Sequence, residues 1–241
     1  MNKRADVFLV ESGYAASRAE AQAAIAAGTV MADGRTIAKA SQVLGDGMQI
    51  VYAPAHPYVS RGAVKLVAAL DRFGLSPQGL TCLDIGASTG GFTQVLLERG
   101  AARVFAVDVG HGQLHAKVAS DPRVISLEST NARELSPVVL GEEPQAVVAD
   151  VSFISLKLAL PRALTMAAAG AWLVALVKPQ FEAGKENIGK GGIVRDEKVA
   201  RAALDGIAQF LAGHWTVLGT MDSPILGGAG NREFLIAARK P

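Results

Sequence analysis

The sequence predicts an α/β fold: a doubly wound, mostly parallel sheet with an antiparallel closing hairpin, preceded by a small α+β unit. Three observations carry this. Strand-like and helix-like runs alternate from residue 80 to residue 211, the pattern of a parallel sheet. The stretch Leu83-Asp84-Ile85-Gly86-Ala87-Ser88-Thr89-Gly90-Gly91-Phe92 places a glycine loop between an apolar run and an amphipathic one. The last two strand-like runs, Thr216–Met221 and Glu233–Ala238, have no helix between them, so a hairpin at the sheet edge is expected.

Residues 1–52 read as the small unit. Arg4 to Glu11 is a short helix closed by Gly13. Ser17-Arg18-Ala19-Glu20 is a capping box that opens a helix running to Ala27, and Gly28 stops it. Thr29–Met31 and Met48–Tyr52 are strands, with a turn at Asp33-Gly34. A unit of this size is small for an independent core, which suits an attached binding module. Its five basic residues, Lys3, Arg4, Arg18, Arg35 and Lys39, are matched by five acidic ones, so any RNA affinity must come from one-sided placement. Residues 53–57, Ala-Pro-Ala-His-Pro, form an uncharged, fairly stiff linker.

Residues 58–241 carry the alternation. A helix over Ser60–Phe73 comes first, then strand Leu80–Ile85, helix Gly91–Arg99, strand Arg103–Asp108, helix Gln113–Ala119 and strand Val124–Leu127. Strand Ala146–Asp150, helix Ser155–Ala168, strand Ala171–Val177, helix Asp196–Leu211 and the two final strands follow. In such sheets ligands sit at the carboxyl ends of the strands.

Composition narrows the function classes. Half of the chain is apolar, which permits a sizeable core. Lys and Arg number 24 against 22 Asp and Glu, so nucleic-acid binding has no global electrostatic footprint and must be argued locally. Cys82 is the single cysteine, as expected in a reducing compartment. The start lacks the apolar core of a signal peptide, and the longest apolar stretch, Ala163 to Val177, is shorter than the ~20 residues of a membrane helix. A cytoplasmic protein without a membrane span is expected. His111 and His115 are four apart but have no third ligand nearby, so no metal is expected.

The glycine loop is neither a dinucleotide fingerprint nor a P-loop, since its glycines are Gly86, Gly90 and Gly91 and no Gly-Lys-Ser/Thr follows. Glycines let backbone approach a ligand closely, and the helix start beyond them offers unpaired N–H groups. Asp108 ends the next apolar run, 24 residues after Asp84, where an acid suits a ribose diol. Together these point to a nucleoside-bearing cofactor. With the closing hairpin, the build is that of an S-adenosylmethionine-dependent methyltransferase.

Four charges fall in odd places. Lys65 lies in the first turns of a helix, Asp150 and Lys178 end core strands, and Glu233 opens the last one. Charge there is costly unless paired or functional. A ribose hydroxyl is a poor nucleophile until it loses its proton. A lysine beside a second cation and partly desolvated has a lowered pKa and can take that proton. Lys178 fits this role, with Lys65 as the second cation and Asp150 and Glu233 orienting both amines. A sulfonium methyl donor needs no metal.

The residues Tyr58–Leu66, Asp84–Phe92, Ala149–Leu156, Val177–Glu182 and Gly191–Asp196 resemble the TlyA family. The resemblance implies an N-terminal RNA-binding module like that of ribosomal protein S4 joined to an FtsJ-like 2′-O-ribose methyltransferase domain. It implies a catalytic tetrad of Lys65, Asp150, Lys178 and Glu233. It implies S-adenosylmethionine held by Asp84, Gly86, Ala87, Ser88, Gly90, Gly91, Phe92, Asp108 and Asn131. The substrate it implies is cytidine in ribosomal RNA, free or in ribosomal subunits. Candidate RNA contacts are Lys3, Arg4, Arg18, Arg35 and Arg61, and Lys185, Lys190 and Arg195 in the glycine-rich loop 184–195, which reads either as a mobile solvated loop or as an RNA-contacting lid beside Lys178. Many members of that family carry the label haemolysin, so a membrane-lytic protein is one rival reading, and an RNA-binding assembly factor without catalysis is another.

Overall fold

The structure, a computed structural model, describes residues 2–15, 17–227 and 230–241. It divides into two compact units, residues 1–57 and 58–241.

In the small unit, β1 (Lys3–Arg4) leads into α1 (Ala5–Glu11), followed by α2 (Arg18–Ala26), β2 (Val30–Ala32), β3 (Arg35–Thr36), β4 (Val43–Leu44) and β5 (Ile50–Tyr52). Ser17 caps α2 by accepting the Glu20 N–H, as the Ser-x-x-Glu spacing requires. β2 is the middle of a three-stranded antiparallel sheet with β3 and β5, while β1 pairs with β4. The two-residue strands β1, β3 and β4 are too short to leave a periodic pattern in the sequence. Leu9, Ile25, Val30, Ile37 and Leu44 form the core. A single buried carboxylate ties the helices together. Asp6 accepts from Arg4 and Arg18 and from Gln22 Nε2 at 2.7 Å. Hydrogen bonds from Arg4, and then those from Arg18 and Gln22, hold the Asp6 carboxyl well below the usual carboxylate range against the opposing effect of burial.

The large unit holds α3 (Gly62–Phe73), β6 (Thr81–Ile85), α4 (Gly91–Glu98), β7 (Arg103–Val107), α5 (Ala116–Ala119), β8 (Val124–Leu127), α6 (Pro137–Leu140), β9 (Ala146–Ala149), α7 (Leu156–Ala159), α8 (Pro161–Met166), β10 (Trp172–Val177), α9 (Pro179–Glu182), α10 (Glu197–Ala212), β11 (Thr216–Asp222) and β12 (Phe234–Arg239). The strands form one sheet in the order β11-β12-β10-β9-β6-β7-β8. Only β12 runs against the rest, antiparallel to both β10 and β11. The central strands are buried on both faces, which explains their unbroken apolar runs. Their side chains alternate between two cores. Leu83, Phe105, Val147 and Leu173 pack under α7, α8 and α10, while Cys82, Val104, Val148 and Trp172 pack under α3 and α4. Each large side chain so buried contributes roughly 1.5–3 kcal/mol. The edge strand β11 alternates exposed and half-buried residues and carries a bulge between Val217 and Gly219.

Two expected helices are shorter than their patterns. The run 155–168 breaks at Leu160 into α7 and α8, because Pro161 has no N–H for the helical ladder and starts a helix instead. The run 113–119 keeps only α5. Glu128 takes the N–H groups of Gly112, Gln113 and Leu114, which holds that segment as a loop, and the His115 side chain caps what remains. No helix of the described residues is long and apolar enough to cross a membrane.

The Asp6 cluster sets the acid sensitivity of the small unit. Because the folded carboxyl is held low, its stabilisation is present above the ordinary value of 3.8 and is lost as pH falls through the folded value. Asp6→Asn is expected to destabilise the unit at neutral pH and to flatten its loss of stability below pH ~4. Amide NMR signals of residues 17–52, followed against denaturant at several pH values, check both.

Candidate active site

The site lies at the carboxyl edge of the sheet. Gly86 follows β6 at φ +84°, and a Cβ there would come within 2.5 Å of the Asp150 carbonyl oxygen, so only glycine lets the loop cross the end of β9. Ser88, at φ +48°, turns the chain toward α4, and its N–H donates to Asp108 Oδ2 at 2.8 Å. The other Asp108 oxygen accepts the Gly110 N–H at 2.8 Å. Asp108 is thereby fixed at the end of β7 with one lone pair of each oxygen still available.

Two cavities share this loop. The first, about 300 Å³, has Val107, Asp108, Asn131, Val151, Phe153 and Ile154 among its walls. The second, about 210 Å³, is walled by Ser60, Arg61, Lys65, Phe92 and Lys178 among others. Gly86, Ser88, Asp150 and Ser152 border both. An apolar slot with an acid at its rim, opening beside a charged chamber, fits a nucleoside with a charged tail. Ala87 and Gly91 line the second cavity. Gly90 lines neither and instead gives room to Leu114 and Val118. Asn131 reaches the first cavity with its Oδ1 already accepting from Arg133 and its Nδ2 donating to Glu134.

Asp84 lies beneath the loop and borders neither cavity. It is fully buried, its Oδ2 accepts the Thr93 hydroxyl at 2.6 Å, and its Oδ1 has no hydrogen-bond partner among the described residues. Burial pushes its carboxyl up to about 7 against the Thr93 hydrogen bonds, and the Asp150 and Asp108 charges add to the rise. Burial and the Asp84 charge push the neighbouring Cys82 thiol up to about 12, so Cys82 is a core residue and no nucleophile.

The four odd charges come together as two pairs. Lys65 Nζ donates to Glu233 Oε2 at 2.5 Å, with both side chains buried. Lys178 Nζ lies 2.6 Å from Asp150 Oδ1 and donates to Ser152 Oγ at 2.9 Å. The reversed strand explains the meeting. β12 is antiparallel to β10 with Val177 opposite Phe234, so the start of β12 reaches the edge where the other strands end. Glu233 therefore stands beside the level of Lys178. Each amine has its own carboxylate, a more divided arrangement than one cationic pair oriented by two acids.

The candidate RNA contacts are scattered by comparison. Lys3 pairs with Glu11, and Arg4 and Arg18 share Asp6. Arg35 is exposed on β3. Arg61 is exposed at the rim of the second cavity, and Lys185, Lys190 and Arg195 are exposed on the glycine-rich loop. Asn231 anchors that loop by accepting from Val194 N–H and donating to the Gly192 carbonyl. No group of three or more potential metal ligands occurs among the described residues.

Sequence reasoning missed Phe153. It is 91% exposed at φ +64°, a conformation rare for an aromatic residue, and its ring lies 5.2 Å from that of Phe181. A large apolar side chain directly after a strand-end Asp-x-Ser was the available signal. Such strain concentrates at functional sites.

Comparison with known proteins fits this geometry. Residues 58–240 match the FtsJ-like methyltransferase family and residues 3–50 match the S4 domain. The chain is 46% identical to the 16S/23S rRNA (cytidine-2′-O)-methyltransferase TlyA of Mycobacterium tuberculosis, over 98% of this chain and 89% of that protein. The chain belongs to the TlyA family of FtsJ-like methyltransferases. A solved structure, described as a hemolysin from Streptococcus thermophilus, superposes with a TM-score of 0.78 at 42% identity, covering 99% of this chain and 88% of that one. The methyltransferase NodS of Bradyrhizobium japonicum, solved with S-adenosyl-L-homocysteine, shares the fold at 16% identity, with a TM-score of 0.54 over 75% of this chain and 87% of that one.

Asp84 gives this TlyA-family site a pH signature. From 3.8 to about 7 the folded chain keeps a proton that the unfolded chain has lost, so this contribution to stability is full below 3.8 and is lost as pH rises through about 7. Asp84→Asn, which keeps an oxygen for Thr93, is expected to raise Tm above pH ~8 and to leave it unchanged below pH ~4. Calorimetry across that range checks the sign.

Proposed function

We propose that this protein is an S-adenosylmethionine-dependent RNA 2′-O-ribose methyltransferase acting on cytidine in ribosomal RNA. The observation that carries this reading is the Lys178–Asp150 pair on the wall shared with the glycine-loop cavity, backed by the buried Lys65–Glu233 pair.

The residues present suit the cofactor. Asp108 would hold the ribose diol, Asn131 and the apolar wall of the first cavity would hold the adenine side, and Gly86 to Gly91 would pass beneath the methionine part. When bound, S-adenosylmethionine supplies an electrophilic methyl on a cationic sulfur.

The protein's own groups do the rest. Lys178 Nζ, as the neutral amine, accepts the proton of the 2′-hydroxyl, Asp150 pairs with the ammonium that results, and Ser152 fixes its direction. Glu233 pins Lys65, which keeps a second amine at the chamber wall to stabilise the oxygen as its proton leaves. Most of the rate comes from holding hydroxyl and methyl in line. Phe153, exposed at the first cavity next to Ser152, which borders both cavities, offers an outward ring face on which the target base can stack. Arg61, the loop lysines and the small unit then supply phosphate contacts.

The reading is tested by transfer of labelled methyl to small subunits, large subunits and free ribosomal RNA in parallel. Lys178→Ala is expected to lose at least ~100-fold in rate with cofactor binding retained, as for removal of a general base. Wild-type activity in that variant overturns the role of Lys178. No transfer to any of the three by the wild-type protein overturns the function. The lytic reading has no structural support among the described residues, where no helix could span a membrane.

A further inference from the structure

The segments that follow β9 and β10 are joined along their length. Lys178 meets Asp150 and Ser152, the Phe153 and Phe181 rings touch, and Glu182 closes the far end. Glu182 Oε2 accepts the Ser155 hydroxyl at 2.5 Å and Oε1 accepts the Leu156 N–H at 2.8 Å. Glu182 has no ion pair among the described residues, and burial raises its carboxyl against the two hydrogen bonds and the weaker pull of Lys157. A largely desolvated carboxylate without a cation is costly. Its two bonds fix where α7 begins.

That position matters for the chemistry. Between Asp150 and Ser155 the chain passes through Phe153 at φ +64°. Strained backbone persists only where its surroundings over-determine it. The first end is set by the sheet, where Asp150 N–H donates to the Ile85 carbonyl at 2.9 Å. The second end is set by Glu182. Ser152, which directs the Lys178 amine, lies between these two anchors.

We infer that Glu182 is a positioning residue: by latching Ser155 and Leu156 to α9 it fixes the loop that aligns Lys178 with Asp150 and Ser152. The inference rests on the proposed methyl transfer for its kinetic consequence but not for the latch itself. Glu182→Gln keeps both partners, since an amide oxygen accepts from Leu156 and an amide N–H donates to Ser155 Oγ. Glu182→Ala keeps neither.

Two measurements on the full-length protein test it. In single-turnover methyl transfer to the ribosomal substrate, Glu182→Ala is expected to lose roughly tenfold or more in rate with cofactor affinity within about twofold of wild type, as expected for misplacement of a catalytic group. Glu182→Gln is expected to recover most of that loss. In hydrogen exchange, amides 152–156 are expected to exchange roughly tenfold faster in the alanine variant and near the wild-type rate in the glutamine variant. Unchanged exchange in the alanine variant overturns the latch whether or not the wild-type protein methylates RNA. Faster exchange with an unchanged rate overturns the positioning role, as does a rate loss of equal size in both variants.

Discussion

The architecture turns on one buried ion pair, Lys65 with Glu233. Neither charge could be buried alone, because an unpaired ion in this interior costs several kcal/mol. The pair therefore fixes how the first turns of α3 meet the start of β12, elements separated by most of the large unit in sequence. Both lie at the edge where β6, β7 and β9 end. A hydrophobic contact would hold these elements as firmly. It would not leave an amine on the wall of a chamber next to the glycine loop.

Much of this arrangement was legible in the residues. The glycine loop, the acid ending β7 and the charges at strand ends stand out because each breaks a local rule, and the structure explains each break. Gly86 is needed for backbone crossing, Asp108 for two N–H groups, and Lys65 and Glu233 for each other. The order of elements was legible because parallel strands are buried on both faces and read as continuous apolar runs.

Other features were hidden for physical reasons. The pairings of four charges depend on strand order and on the reversal of β12, neither of which periodicity encodes. The break at Leu160 and the loop at 112–114 come from a proline start and a distant glutamate, which override helix-compatible patterns. Asp84 looked like part of the cavity wall, but its side chain leaves the sheet on the face covered by α4 and meets Thr93, as alternation along β6 dictates. Arg4 and Arg18 were candidate RNA contacts, yet Asp6 takes part of the hydrogen-bonding capacity of both.

The position of β12 also constrains the order of assembly. It follows β10 and β11 in the chain but lies between them. As a chain emerges from the ribosome, β6 to β10 can pair with one another while β11 has no neighbour to join. Lys65 meanwhile has no carboxylate from Glu233, so closing α3 over the sheet would bury a lone amine. The step that completes the sheet is thus the step that pairs the buried Lys65 amine. A nascent chain that stalls before residue 233 exposes an unfinished sheet edge and leaves Lys65 without its carboxylate.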